Sequence, residues 1–153
     1  MSAEMDYQTF FERVTDHPPY PYQRRVGTRD WPAVLDIPTG LGKTAAVAVA
    51  WLWKRLKKPD STPRRLVYCL PMRVLVEQTR EAIDEWIERA RPLFEQAGSL
   101  PPDAHTLMGG QREIDWVNHP AKPAAIVGTQ DMLLSRALMR GYGMSRYQWP
   151  VHY

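Results

Sequence analysis

The sequence predicts an α/β domain with a parallel sheet carrying helices on both faces. Three observations carry that reading. Short apolar runs alternate with segments of helical period along the chain, the pattern of strand, crossover helix and strand. The first run meets a tight turn, Pro38-Thr39-Gly40-Leu41-Gly42, that opens directly into a helical stretch. The 14 prolines fall mostly between these segments, as punctuation.

Taken in order, residues 6–15 place Tyr7, Phe10, Phe11 and Val14 at helical spacings, predicting a short amphipathic helix that ends at His17-Pro18-Pro19. After a proline-rich turn, AVLDI at 33–37 is short, apolar and β-prone, and is expected as the first buried strand. KTAAVAVAWLWKRLK at 43–57 is rich in helix formers, and its basic last turn suits the helix macrodipole. RLVYCL at 65–70 is the second expected strand. From there Val74, Leu75, Gln78, Ala82, Trp86, Ile87 and Ala90 recur at helical intervals, with charged residues on the other face, until GSLPPD at 98–103 breaks the pattern. AHTLM at 104–108, ending on Gly109-Gly110, and AAIVG at 124–128 are the third and fourth strands, the latter followed by a helix from 130 to about 139.

A chain of 153 residues with 44% apolar composition is long enough to bury one real core, so one globular domain is expected. Its 20 basic residues nearly balance 17 acidic ones, and a formal charge of +3 permits nucleic-acid contact without arguing for it. Cys69 is the only cysteine, which excludes a disulfide framework or a cysteine-based zinc site and fits a reducing compartment, the cytoplasm by default. The opening MSAEMDYQTFFERV lacks the basic and apolar regions of a secretory signal. No run approaches the roughly 18 apolar residues of a membrane span, so a soluble protein is expected. Internal repeats and low-complexity tracts are absent from the sequence.

DIPTGLGKT at 36–44 has the character of a phosphate cradle. Such a loop points its backbone N–H groups inward, which calls for small residues at the tight turn and a helix starting at once. Gly40 and Gly42 meet the first need, Lys43 can reach terminal phosphates, and the Thr44 hydroxyl can ligate a bridging magnesium ion. Ile37 stands where the strict G-x-x-x-x-G-K-[ST] pattern has its first glycine, and Pro38 stiffens that entry instead. The alternative is an ordinary strand-to-helix turn; the order T-G-x-G-K-T after an apolar run is far more specific than a lone glycine pair.

The form P-T-G-x-G-K-T resembles the phosphate loop of superfamily two helicases, where an apolar or small residue commonly replaces the opening glycine. That resemblance implies a RecA-like P-loop NTPase fold with ATP and magnesium as cofactors. It implies nucleotide contacts from Thr39, Gly40, Leu41, Gly42, Lys43 and Thr44, with Lys43 and Thr44 serving catalysis and Thr44 the magnesium. Upstream, YPYQRRV at 20–26 is similar to the family's adenine-reading element and puts that role on Gln23, whose amide offers a donor and an acceptor together. Downstream, LPMRVLVEQT at 70–79 is similar to motif Ia, P-T-R-x-L-x-x-Q, matched by Pro71, Arg73, Leu75 and Gln78 and departing at Met72. Gly109-Gly110 resembles the family's double-glycine element, and VGTQDML at 127–133 its next strand-end motif.

In such helicases these loops hold the sugar-phosphate backbone of a single strand. The implied nucleic-acid residues are Arg73, Gln78, Gly109, Gly110 and Thr129, through N–H groups, small hydroxyls and an arginine rather than base readout. Each of these has a plainer reading alone, Gly109-Gly110 as a turn and Arg73 as a solvated helix start. Order and placement at the ends of expected strands favour the helicase reading, since open α/β sheets bind ligands there.

The stretch GTQDMLLSRAL narrows the resemblance to the helicase part of the CRISPR-associated helicase-nuclease of type I systems, the I-G branch being its narrowest form. This implies residues 1–30 as an N-terminal helix and adenine-reading segment and 31–153 as a partial first helicase domain, incomplete at its C-terminus. The implied partners are single-stranded DNA, a CRISPR effector complex on DNA, and the missing second lobe and nuclease domain, with no membrane. Hydrolysis in this superfamily also needs a D-E-x-H carboxylate pair, which the sequence does not contain; Asp84-Glu85 falls inside an expected helix. None of the four histidines is followed by Asp, so the nuclease signature is absent too. The expectation is an ATP-binding lobe inactive alone. The competing readings are a non-catalytic nucleic-acid-binding module, one part of a split helicase, and a small-molecule kinase. The aromatic tail GYGMSRYQWPVHY is expected to pack against a further strand rather than stack on bases.

Overall fold

The computed structural model of the chain describes residues 4–107 and 119–137. They form two compact units: the residues up to Pro63 with Glu85–Ser99, and Arg64–Asp84 with the described residues from Leu100 onward.

The first unit is helical. Helix α1 (Tyr7–Thr15) begins at Asp6, whose carboxylate accepts the Thr9 N–H at 2.9 Å, and ends at Asp16 in the left-handed region, φ 61°. Tyr7, Phe10, Phe11 and Val14 are all buried, as their spacing requires. Helix α2 (Pro21–Thr28) occupies the stretch expected as a turn, and its Pro21 stands in the first turn, where a missing N–H costs nothing. Gly27 lets α1 and α2 meet: a Cβ there would lie 2.1 Å from Tyr7 Cζ.

Helix α3 (Lys43–Lys57) is apolar on most of its circumference, so Ala46, Ala48, Val49, Ala50, Trp51 and Leu52 are all buried. Its C-terminal end and the loop that follows are tied together. The Thr62 hydroxyl donates to the carbonyls of Lys54 and Lys58 at 3.0 and 2.7 Å, and Arg55 Nη1 donates to those of Pro59 and Thr62 at 2.8 and 2.7 Å. Trp51 Nε1 donates to Pro63 O at 2.9 Å.

Residues 33–37, expected as the first strand, form no strand. A strand exists only through a ladder partner, and among the described residues this segment has none. It is nonetheless extended in burial pattern, Leu35 and Ile37 half-covered and Val34 79% exposed.

The second unit holds a three-stranded sheet of β1 (Arg65–Leu70), β2 (Asp103–Leu107) and β3 (Ala124–Thr129), in the order β1-β3-β2. All pairings are parallel, with Leu70 opposite Thr129 and Leu107 opposite Gly128. The central strand β3 is buried along its length, the continuous apolar run expected of a strand covered on both faces. Leu107, Ala124, Ile126, Met132 and Leu133 form one cluster between the sheet and helix α5 (Gln130–Ala137). Gly128 is required there, because a Cβ would sit 2.7 Å from the Leu107 carbonyl oxygen.

Helix α4 (Arg73–Gln96) contributes residues to both units. Its buried positions are Val76, Ile83, Ile87, Ala90 and Phe94, while Val74 and Leu75, which match the helical period, are exposed. The buried stripe is rotated from the expected one: Val76 and Ile83, outside the expected set, are buried, Gln78 is exposed, and Ala82 and Trp86 are half-buried. In the helical unit Arg89 bonds the Val14 carbonyl at 3.2 Å and the Asp16 carboxylate at 2.6 Å, fixing α4 to the end of α1.

Candidate functional site

The loop before α3 is shaped by two residues in a conformation that side chains resist: Gly40 at φ 87° and Gly42 at φ 74°. Gly42 is the N-cap of α3, so no cap side chain bonds the helix's leading N–H groups. A helix N-terminus suits anions through its leading amides and its dipole. Lys43 and Thr44, half-buried, are the first two residues of that helix, and Thr39, Gly40 and Leu41 form the exposed approach to it.

Gln23 lies against this loop, but with its amide turned to main chain. Its Oε1 accepts the Tyr20 N–H at 2.8 Å, and its Nε2 donates to the Gly42 carbonyl at 2.9 Å. The residue is only 3% exposed. A Cβ on Gly42 would stand 2.5 Å from that Nε2, so the glycine serves the contact as well as the turn. Next to it, the Tyr22 hydroxyl donates to the Leu41 carbonyl. Tyr22 lies within YPYQRRV, but a tyrosine beside a glutamine carries no periodic signal; the contact becomes visible only once α2 is known to be a helix. Burial raises the Tyr22 phenol above its ordinary value, with the Gln23 hydrogen bond opposing that shift and Tyr20 adding to it.

The expected nucleic-acid residues lie in the sheet unit. Arg73 opens α4 three residues after β1 ends, and Thr129 closes β3 beside Leu70, so both stand at the carboxyl edge of the parallel sheet. Gln78 is exposed on α4, and Thr129 is buried at 9% exposure. Gly109 and Gly110 lie outside the described residues, as does the aromatic tail.

A pocket of about 790 Å³ lies elsewhere in the helical unit, lined by Tyr7, Trp31, Trp53, Lys54 and Lys57 among others, and includes none of the motif residues. Among the described residues no group of three His, Cys, Asp or Glu side chains could hold a metal ion. No helix among them is long and apolar enough to cross a membrane.

No curated protein matches the chain. A family model does: the DEAD/DEAH box helicase model aligns with residues 25–151, beginning two residues after Gln23 and running through the glycine loop and all three strands. A match over that much of the sequence places the chain in the DEAD/DEAH box helicase family.

Proposed function

We propose that the chain is the ATP-binding part of the first motor lobe of an ATP-dependent nucleic-acid helicase. The observation that carries this is the loop itself: two glycines at positive φ leading into an uncapped helix whose first residues are Lys43 and Thr44. That arrangement fits a polyphosphate. Lys43 would neutralise the terminal phosphates, and the Thr44 hydroxyl would ligate a magnesium ion carried in with them. Bound magnesium supplies charge neutralisation on the phosphates.

Arg73, Gln78 and Thr129 are the residues proposed to meet the sugar-phosphate backbone of a single strand, DNA in the narrower form of the reading. That narrower form, service in CRISPR interference as part of a type I helicase-nuclease, is supported by the order of residues in GTQDMLLSRAL. With no D-E-x-H carboxylates in its 153 residues, the chain by itself should bind nucleotide and turn it over negligibly.

The test is calorimetric titration of the purified chain with magnesium ATP, beside Lys43→Ala. Saturable binding that weakens by about tenfold or more in the variant is expected, the scale of a lost charge-assisted contact. Equal binding by both proteins would sink the proposal. Robust ATPase activity of the chain alone, stimulated by single-stranded nucleic acid, would refute the statement about turnover.

A further inference from the structure

Two consecutive carbonyls of the loop face α2 rather than the space in front of α3. The Leu41 carbonyl accepts the Tyr22 hydroxyl, and the Gly42 carbonyl accepts Gln23 Nε2 at 2.9 Å. The Gly42 carbonyl also takes the Ala46 N–H at 2.9 Å, the first bond of α3, so both its lone pairs are engaged. The described peptides are all trans, and in a trans peptide the C=O and the following N–H point to opposite sides. Anchoring the Leu41 carbonyl on α2 therefore turns the Gly42 N–H away from α2. Anchoring the Gly42 carbonyl does the same for the Lys43 N–H. These are the leading amides of the uncapped helix.

The two anchors are not equivalent. The Gly42 carbonyl would point along α3 without Gln23, because Ala46 already holds it. The Leu41–Gly42 peptide precedes the helix and borders a glycine, which permits several orientations at low cost. Its direction thus depends on a tether from outside the loop. Tyr22 can act as that tether because its own position is restricted. The residue is half-buried, and its ring stacks on Tyr20 with centroids 6.3 Å apart and planes within 10°.

We propose that Tyr22 is a positioning residue for the nucleotide phosphates, its hydroxyl aiming the Gly42 N–H at the anion by holding the Leu41 carbonyl. The inference rests on the nucleotide-binding reading above and adds a residue to it. Tyr22 acts on the phosphate end of the ligand through the loop, and contributes nothing specific to the base.

The experiment compares the full chain with Tyr22→Phe, which keeps the ring and its stacking and removes only the hydroxyl. Titrations with magnesium ATP and with magnesium tripolyphosphate are expected to weaken by the same factor, about three- to tenfold, the scale of one hydrogen bond. Amide exchange of the segment 38–45 in the ligand-free proteins is expected to be faster in the variant, with the melting temperature essentially unchanged. Equal tripolyphosphate affinity in the two proteins overturns the inference while leaving the proposed function standing. Weakening for ATP alone also overturns it, because it assigns Tyr22 to the base. Unchanged exchange across 38–45 overturns it without reference to any ligand. A wild-type chain that binds neither ligand overturns the proposed function and this inference together.

Discussion

Gly40 and Gly42 share a left-handed backbone, yet alanine should cost different amounts at the two positions. At Gly40, φ 87°, a Cβ meets nothing within 4 Å, so the penalty is backbone strain alone, about 1 kcal/mol. At Gly42, φ 74°, the same strain applies and the Cβ would also stand 2.5 Å from Gln23 Nε2. The Gln23 side chain can move, so the collision itself is cheap. Its consequence is not, because the amide is 3% exposed and would leave the Gly42 carbonyl for surroundings with few partners. Displacing such a group costs about 1–3 kcal/mol, bringing the total for Gly42→Ala to about 2–4 kcal/mol. Urea denaturation of both variants measures the difference, given equal slopes. A double-mutant cycle with Gln23→Ala then isolates the collision: in that background Gly42→Ala should fall to about the Gly40→Ala value. Equal destabilisation by the two alanines in the wild-type background would refute the reasoning, since strain would then be the whole effect.

Three further outcomes follow from the packing. Gly27→Ala drives a methyl to 2.1 Å from the buried Tyr7 ring, and should cost about 3 kcal/mol or more, read as a large drop in thermal midpoint. Gly128→Ala meets backbone rather than a movable side chain, the Leu107 carbonyl oxygen at 2.7 Å, and should loosen the β2–β3 pairing, seen as faster amide exchange in 103–107 and 124–129. Asp6 has its carboxyl held below the usual 3.8, first by the Thr9 side chain and then by the Thr9 N–H. A lowered folded value stabilises above the unfolded value and is lost as pH falls through the folded one. The melting-temperature gap between wild type and Asp6→Ala should therefore be constant above about pH 5 and close below pH 3.8.

What is legible in the sequence is what local chemistry determines. The alternation of apolar runs with helical periods marks β1, β2, β3 and α3 nearly to the residue, because each carries its own burial pattern. The departures share a cause in partners that sequence does not reveal. Residues 33–37 have strand composition, but a ladder needs a neighbour, and among the described residues none pairs with them. Pro18, Pro19 and Pro21 suggest a turn, although Pro21 stands in the first turn of α2, where its missing N–H has no intrahelical bond to lose. Around α4, the expected face through Val74, Leu75 and Gln78 is exposed and the covered one runs through Val76 and Ile83, because the face that is buried depends on what packs against the helix. At the site, Gly40, Gly42, Lys43 and Thr44 are legible because a phosphate loop is a local motif. Tyr22 is not, because its role depends on a contact across 19 positions of sequence.

Gln23 joins the two halves of the nucleotide-binding reading. An amide carries two hydrogens on Nε2 and two lone pairs on Oε1, and here one of each is engaged, by the Gly42 carbonyl and the Tyr20 N–H. The amide also hydrogen-bonds the Tyr22 phenol and is only 3% exposed, so an adenine edge would have to take hydrogen bonds from these protein partners. The bonds to Tyr20 and Gly42 fix the plane of the amide before any base arrives, and a preset plane lowers the ordering cost of a paired hydrogen bond. Base recognition and loop geometry would then be coupled through one group: Gln23→Ala, which leaves the glycine turn intact, should weaken ATP more than tripolyphosphate, whereas loss of the Tyr22 hydroxyl should weaken both alike. The ratio of the two affinities separates these neighbouring residues by function, although both touch the same loop.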